Sequence, residues 1–241
     1  MPALIQVRDG AVTRITLNRP DKANALSAPM VEALIEALAR AQTDGTRLLI
    51  LDGAGPHFCA GFDFTDYESA SEGDLALRFI RIESLLQALY HAPFETLALA
   101  HGRVFGAGAD IVASCSLRIA TPESVFLMPG LRFGVVLGTQ RFAARVGARK
   151  AREILATSRS FDADEALHTG FLTQIAEKGR WDDIVASART QSERLSPAAA
   201  AALHSTVIGD TRAADMAALA LSVSTPGIKE RIREFREARK R

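Results

Sequence analysis

Apolar and polar positions alternate over Ile5–Val7 and again over Val12–Leu17, on either side of Asp9-Gly10. That pattern predicts a β-hairpin. From Ser27 to Gln42 the period changes, with Met30, Leu34, Ala37, Leu38 and Ala41 on one helical face. Ser27 is placed to cap this helix, Pro29 suits its first turn and Gly45 marks its stop. Leu48–Leu51 is a short continuous apolar run, Arg78–Tyr90 is amphipathic, and Leu97–Ala100 is a second apolar run. The alternation of strand and helix predicts an α/β fold with a largely covered sheet. After Asp162 the character shifts. Asp162–His168, Trp181–Leu195, Pro197–Ile208, Arg212–Val223 and Gly227–Arg241 all read as helices, and only Phe171–Ile175 reads as a strand. The expected organisation is an α/β core over residues 1–190 and a helical C-terminal region over residues 191–241. The longest apolar stretch, Val104–Leu117, carries one charge, Asp110, and is shorter than the roughly 18 residues a bilayer crossing needs. It suits a buried helix.

Composition narrows the function classes. Twenty-nine Lys and Arg against 28 Asp and Glu give a net charge of +1, which argues against a basic nucleic-acid binder or an acidic tail protein. A 48% hydrophobic and 24% charged chain is the mix of a globular domain. Cys59 and Cys115 have no CxxC spacing, so neither a disulfide framework nor a zinc site is expected, and a reducing cytoplasm fits. Met1–Gly10 reads as strand and turn, so no secretory signal is expected. The five histidines, His57, His91, His101, His168 and His204, never fall at helical ligand spacing, and no metal is expected.

Candidate chemistry concentrates in two glycine turns. Gly106-Ala107-Gly108 follows a strand and opens a helix, but the third glycine of a dinucleotide fingerprint would be position 111, which is Ile111. A helix start of this kind leaves backbone N–H groups unpaired beside the positive end of the dipole, where an oxyanion is stabilised. Asp110 follows as the only charge between Arg103 and Arg118. It is either a complement to the dipole or a functional carboxyl, because an unpaired carboxylate on an apolar helix is costly. The second turn, His57-Phe58-Cys59-Ala60-Gly61-Phe62-Asp63-Phe64, follows the Leu48–Leu51 run. Each turn can offer one N–H to a shared oxygen. Cys59 reads as packing, His91 as loop and His168 as helix surface.

Five segments, in order, resemble the crotonase (enoyl-CoA hydratase/isomerase) superfamily. They are Asn18-Arg19-Pro20 with Lys22-Ala23-Asn24-Ala25-Leu26, Phe58-Cys59-Ala60-Gly61-Phe62-Asp63, His101 to Gly108, Gly138-Thr139-Gln140-Arg141, and Ala166 to Leu172. The resemblance implies a crotonase-like spiral of ββα units, with a helical C-terminal region that builds a homotrimer or a dimer of trimers. It implies an acyl-CoA thioester as ligand, with coenzyme A entering as part of the substrate and no separate cofactor, no nucleic acid and no membrane partner. It further implies an oxyanion hole from the N–H groups of Phe62 and Ala107, with Ala107 in a place where the family usually has glycine and where a positive φ would strain alanine. Lys22, Ala23, Ala60, Phe62, Asp63, Phe64, Thr65 and Ala107 would line the CoA channel, although Lys22 equally reads as a solvated loop residue.

The departures concern acid–base groups. Family hydratases carry two glutamates; Asp110 stands at the first position, shorter by roughly 1.5 Å, and Gly130 stands at the second. The loop Gly134–Gly138 also reads as about three residues shorter than the family's. The expected function is hydration or double-bond isomerisation of an enoyl-CoA with Asp110 as acid/base. The alternatives are other enolate chemistry, decarboxylation or thioester hydrolysis, or a non-catalytic acyl-CoA-binding relative. His57, Arg132 and Gln140 are candidates for a second polar group. The tail Gly227–Arg241, with seven basic and three acidic residues, reads as an amphipathic helix packing Ile228, Ile232 and Phe235 inward, with CoA phosphate as a candidate partner.

Overall fold

The computed structural model describes residues 2–238. Its chain begins as an antiparallel hairpin of β1 (Leu4–Asp9) and β2 (Val12–Leu17), in which Asp9 pairs with Val12. The reversing pair is therefore Gly10-Ala11, one residue later than expected, because Gly10 takes the positive φ of +59°. Helix α1 (Ala28–Ala41) buries Met30, Val31, Leu34, Ala37, Leu38 and Ala41. Ser27 holds the N-cap position, but its side chain makes no capping bond, and the helix ends at Gln42 before Gly45 is reached.

Strand β3 (Leu48–Gly53) lies parallel to β2. Helix α2 (Glu72–Tyr90) starts six residues before the expected Arg78, because Ser71 and Asp74 form a reciprocal capping box. Then follow β4 (Glu95–Ala100), β5 (Arg103–Phe105), α3 (Ala107–Ser114), β6 (Leu117–Ala120) and β7 (Val125–Leu127). The apolar stretch Val104–Leu117 is thus a strand end plus an eight-residue helix, every residue of which is buried. Helices α4 (Thr139–Val146) and α5 (Ala148–Thr157) precede β8 (Phe161–Asp162), α6 (Ala163–His168) and β9 (Gln174–Ile175). The expected strand at Phe171–Ile175 contracts to two residues, since Phe171 and Leu172 turn into the core. Four helices end the chain: α7 (Trp181–Ser192), α8 (Pro197–Ile208), α9 (Arg212–Ser224) and α10 (Ile228–Ala238). The last three residues of the predicted tail helix lie outside the described residues. Among the described residues, no helix is long and apolar enough to cross a membrane.

The large sheet runs β1-β2-β3-β4-β6-β9, and a small sheet runs β5-β7-β8. The chain repeats one step between them. β4 feeds β5 and then α3; β6 feeds β7 and then α4; and β3 feeds an isolated bridge from Cys59 to Val104 before α2. This is the ββα spiral. Both faces of the sheet are covered at its central strands β3 and β4, which explains their unbroken apolar runs, whereas the edge strand β1 is exposed. Leu48, Ile50, Leu97, Leu99 and Ile119 pack with Trp181 and Ala188 of α7, while Ile15, Leu49, Leu51 and Ala98 face the main core.

Two polar devices fix the helices around the site. The C-terminal end of α3 is held by guanidinium groups: Arg145 Nε donates to the Ala113 carbonyl at 2.9 Å and Arg118 Nη1 to that of Cys115 at 3.0 Å. Cations there also complement the helix dipole. Beneath, Arg141 of α4 is fully buried and pairs with Glu83 of α2 at 3.0 Å and with Asp215 of α9 at 2.9 Å. Gln87 and Thr211 supply further donors to these carboxylates, at 2.9 and 2.8 Å. Removing the cation alone strands two buried carboxylates. Arg141→Met is expected to lower the unfolding free energy by about 3–5 kcal/mol, read as a fall in the urea midpoint. A midpoint that stays in place would show that the network contributes nothing.

Candidate active site

The Asn18–Leu26 segment acts as a bracket for the His57–Phe64 turn. Asn24 Nδ2 donates to the carbonyls of Ala54 at 2.9 Å and His57 at 2.8 Å, and its Oδ1 accepts from the Arg19 N–H at 2.8 Å. Arg19 reaches on to Asp63 Oδ2 at 2.9 Å. Ala23 accepts the Ala60 N–H at 2.9 Å through its carbonyl, while Lys22 is exposed on the short helical turn Pro20–Lys22.

The two turns then meet backbone to backbone. Gly61 has φ +84°, and a Cβ there would lie 2.6 Å from the Phe105 carbonyl and 3.1 Å from the Ala107 nitrogen. A Cβ on Gly108 would lie 2.5 Å from the Cys59 carbonyl. Only glycine fits either place. Cys59 is threaded through this contact: its thiol donates to the Asn24 carbonyl at 3.2 Å, and its sulfur accepts the Gly61 N–H at 3.4 Å. The sulfur is therefore a polar tie as well as packing. Burial pushes its thiol up to about 12.

Each turn presents one unspent donor. The Gly61 carbonyl accepts from Leu26 N–H at 2.7 Å, so the Phe62 N–H of the same trans peptide points the other way. The Gly106 carbonyl accepts from Ala109 at 2.8 Å and Asp110 at 3.1 Å, and the Ala107 N–H likewise points outward. Neither N–H has an acceptor among the described residues. Strain expected at Ala107 does not arise, because Gly106 takes the positive φ of +53° and Ala107 begins the helix normally.

Phe62, Ala107 and Asp110 line one narrow cleft, with a cavity volume of about 60 Å3. Ala60 and Phe64 also line it, whereas Lys22, Ala23, Asp63 and Thr65 do not. Asp63 instead accepts from Arg19 and from Thr65 N–H at 3.0 Å, and is buried. The C-terminal helix closes one side through Phe235, whose ring centre is 5.0 Å from that of Phe133.

Asp110 is 4% exposed. Its carboxyl group has no hydrogen-bond partner among the described residues, Oδ1 being fully buried. It packs on Gly138 so closely that a Cβ there would fall 1.9 Å from Oδ1. A carboxyl that merely complemented the helix end would bond to its N–H groups, and this one does not. Burial raises its pKa well above the ordinary value of 3.8, Glu83 adds to the rise and Arg141 opposes it. Gly130 lines the same cleft, and a Cβ there would meet the Val135 carbonyl at 3.0 Å, so the loop leaves little room for a side chain at this position.

The three candidates for a second polar group lie elsewhere. His57 Nδ1 accepts from the Arg103 N–H at 3.3 Å, the Arg132 guanidinium lies 5.7 Å from the Phe235 ring centre, and Gln140 is exposed. Thr139, at the start of α4, brings the cleft its one hydroxyl. Sequence reasoning passed over it, and its position beside Gly138 in the quoted motif was the available signal. Among the described residues, no three His, Cys, Asp or Glu side chains gather as a metal site.

Comparison with known proteins gives a consistent picture. The profile of the family described as enoyl-CoA hydratase/isomerase matches residues 8–238. The chain is 34% identical over 195 residues to enoyl-CoA hydratase domain-containing protein 3, mitochondrial, of Danio rerio, covering 79% of this chain and 68% of that protein. A crystal structure of an enoyl-CoA hydratase/isomerase from Bordetella parapertussis is similar with a TM-score of 0.96 and 51% identity, over 97% of this chain and 98% of that one. A Thermobifida fusca enoyl-CoA hydratase, solved in complex with acetoacetyl-CoA, is similar with a TM-score of 0.78 and 25% identity over 92% of each chain.

The loaded carboxyl has a measurable cost. Its folded pKa lies above its unfolded one, so stability is lost as pH rises from the unfolded value to the folded value and stays lower beyond it. Asp110→Asn removes that loss. By calorimetry, the Tm of this variant relative to wild type should rise as pH increases above the ordinary carboxyl value of 3.8. Parallel curves would show that Asp110 is not loaded by burial.

Proposed function

The chain belongs to the enoyl-CoA hydratase/isomerase family, and on that premise we propose that it moves the double bond of an enoyl-CoA thioester, with Asp110 as the proton carrier. The thioester oxygen sits between the N–H groups of Phe62 and Ala107. Asp110 as carboxylate takes a proton from the acyl carbon next to the double bond. The electrons pass to the oxygen as a dienolate held by the two donors. The carboxylic acid so formed returns the proton to the other end of the dienolate, which leaves the double bond shifted and the carboxylate regenerated. One oxyanion donor is worth about 2.7–4 kcal/mol, and a placed acid–base group about 10²–10⁴-fold.

The observation that carries this reading is a single unpartnered carboxyl and two unspent N–H groups in a cleft whose other side chains are apolar except for Thr139. One carboxyl suffices for a proton that leaves and returns. Hydration needs a second group to hold water, and Gly130 stands where the family's second carboxylate would be. The CoA moiety is assigned to the Ala60–Phe64 side of the cleft, with Lys22, Ala23 and Thr65 outside it, where Lys22 can meet a phosphate. The acetoacetyl-CoA bound by the Thermobifida fusca relative supports that class of ligand.

A second reading follows from the raised pKa of Asp110. A neutral carboxyl is ready to protonate an enolate formed by loss of carbon dioxide. The two readings differ in the sign of their pH dependence. Isomerisation starts from the ionised group, so kcat/KM should fall as pH drops through the raised pKa; decarboxylation starts from the protonated group, so kcat/KM should fall as pH rises through it.

The test is mass spectrometry of enoyl-CoA and saturated acyl-CoA thioesters incubated in heavy water. Wild type should shift the double bond without a gain of water, read by chromatographic separation of the isomers, and should place solvent deuterium in the acyl chain to the extent that the Asp110 proton exchanges before its return. Asp110→Asn should lower the rate by about 10²-fold or more while still binding the thioester. Products heavier by one water would replace isomerisation with hydration. Binding with neither a shifted double bond nor deuterium uptake would assign the chain as a non-catalytic acyl-CoA binder.

A further inference from the structure

The Phe62 turn is held from outside by a residue that no sequence motif marks. Arg78 lies on α2, half-buried, and its Nη2 donates to the Asp63 carbonyl at 2.6 Å. Its guanidinium carbon lies 4.2 Å from the centre of the Phe62 ring. The next residue, Phe79, stacks on the same ring at 4.4 Å and 17°. Arg78 forms no ion pair among the described residues, unlike Arg81 one turn on, which reaches Glu32. The carboxylates that act on it through space are Asp63 and Asp66, and Asp63 is already bonded by Arg19 and Thr65. The direct contacts of Arg78 are therefore one carbonyl and one aromatic ring, both belonging to the segment that carries the oxyanion donor. A flat guanidinium serves both at once, which an ammonium cannot.

The geometry shows why this matters. The donor N–H of Phe62 is anchored before it by the Gly61 carbonyl, at 2.7 Å from Leu26 N–H. After it, the backbone tie is the longer contact of Asp63 N–H to the Leu26 carbonyl, at 3.3 Å. Arg78 supplies the short contact on that side and fixes the ring. An oxyanion donor works over a narrow distance range, about 2.7–3.1 Å, so a small rotation of the 61–62 peptide would spoil it. We propose that Arg78 is a positioning residue that sets the aim of the Phe62 N–H at the thioester oxygen. This rests on the functional reading above.

The experiment is infrared difference spectroscopy of a saturated acyl-CoA labelled with carbon-13 at the thioester carbonyl, bound to wild type, Arg78→Met and Arg78→Lys. In wild type the carbonyl band should move to lower frequency than in water, as two donors polarise it. In Arg78→Met most of that shift should be lost, and turnover of the enoyl-CoA substrate should fall about 10–10²-fold in kcat, with KM changed less than about threefold. Arg78→Lys should retain part of the shift, because the ammonium can reach the Asp63 carbonyl or the ring. An unchanged band and unchanged kcat in Arg78→Met would overturn the proposal, leaving Arg78 as packing. Should the Met variant not fold, an unchanged band in the Lys variant overturns it equally. No shift in wild type would remove the oxyanion reading itself, which a separate loss in the variants cannot mimic.

Discussion

Two stretches of backbone touch with nothing between them, and the site exists because of that contact. Residues 59–62 and 105–108 approach so closely that Gly61 and Gly108 leave no room for a Cβ. The approach follows from the sheet. β3 and β4 are parallel neighbours, so the chain leaves both at the same edge, and the two turns that follow must pass each other. Ligands of parallel sheets gather at the carboxyl ends of the strands for this reason. Here the result is two N–H groups, from segments about 45 residues apart in sequence, lining a single cleft.

Charge is distributed with the same economy. Arg141 is matched by Glu83 and Asp215, which leaves the buried group one negative charge in excess. Ionising Asp110 nearby adds a second, in a place without a hydrogen-bond donor for either oxygen. Burial raises the pKa of this carboxyl well above the ordinary 3.8, against the opposing pull of Arg141 and with a smaller push from Glu83. The same environment that makes Asp110 a poor structural residue suits the proton-carrying role proposed for it, and the arginines at the far end of α3 keep the helix in place despite it.

Much of this was legible in the chain. The hairpin, α1, β3, β4 and the terminal helices follow their apolar periods, and Pro197–Ile208 matches to the residue. Asp110 announced itself as one charge in a long apolar run. What the periods miss is short or buried on all sides. β5 and β7 have three residues each, too few to show alternation, and α3 is apolar round its whole circumference. α2 was read short because a polar capping box, rather than an apolar stripe, sets its start. The burial of Arg141, although it stands in a quoted motif, and the contacts of Arg78 are not legible in the sequence, because a single arginine in a helix defaults to solvent. Their partners, Glu83 and Asp215 for one and the Phe62 turn for the other, come from distant parts of the chain that only tertiary structure unites.

Cys59 carries a consequence of its own. Its sulfur lies beneath the meeting point of the two turns, tied to Asn24 and Gly61, and it becomes a thiolate only near 12. An alkylating reagent can reach it in the folded protein only when the turns part, since the thiolate is the reactive form and access is otherwise closed. Cys115, buried at the end of α3 and likewise raised to about 12, needs the core itself to open. The chain thus contains two internal clocks. The difference between their modification rates separates breathing of the two glycine turns from unfolding of the whole domain, without any label being introduced.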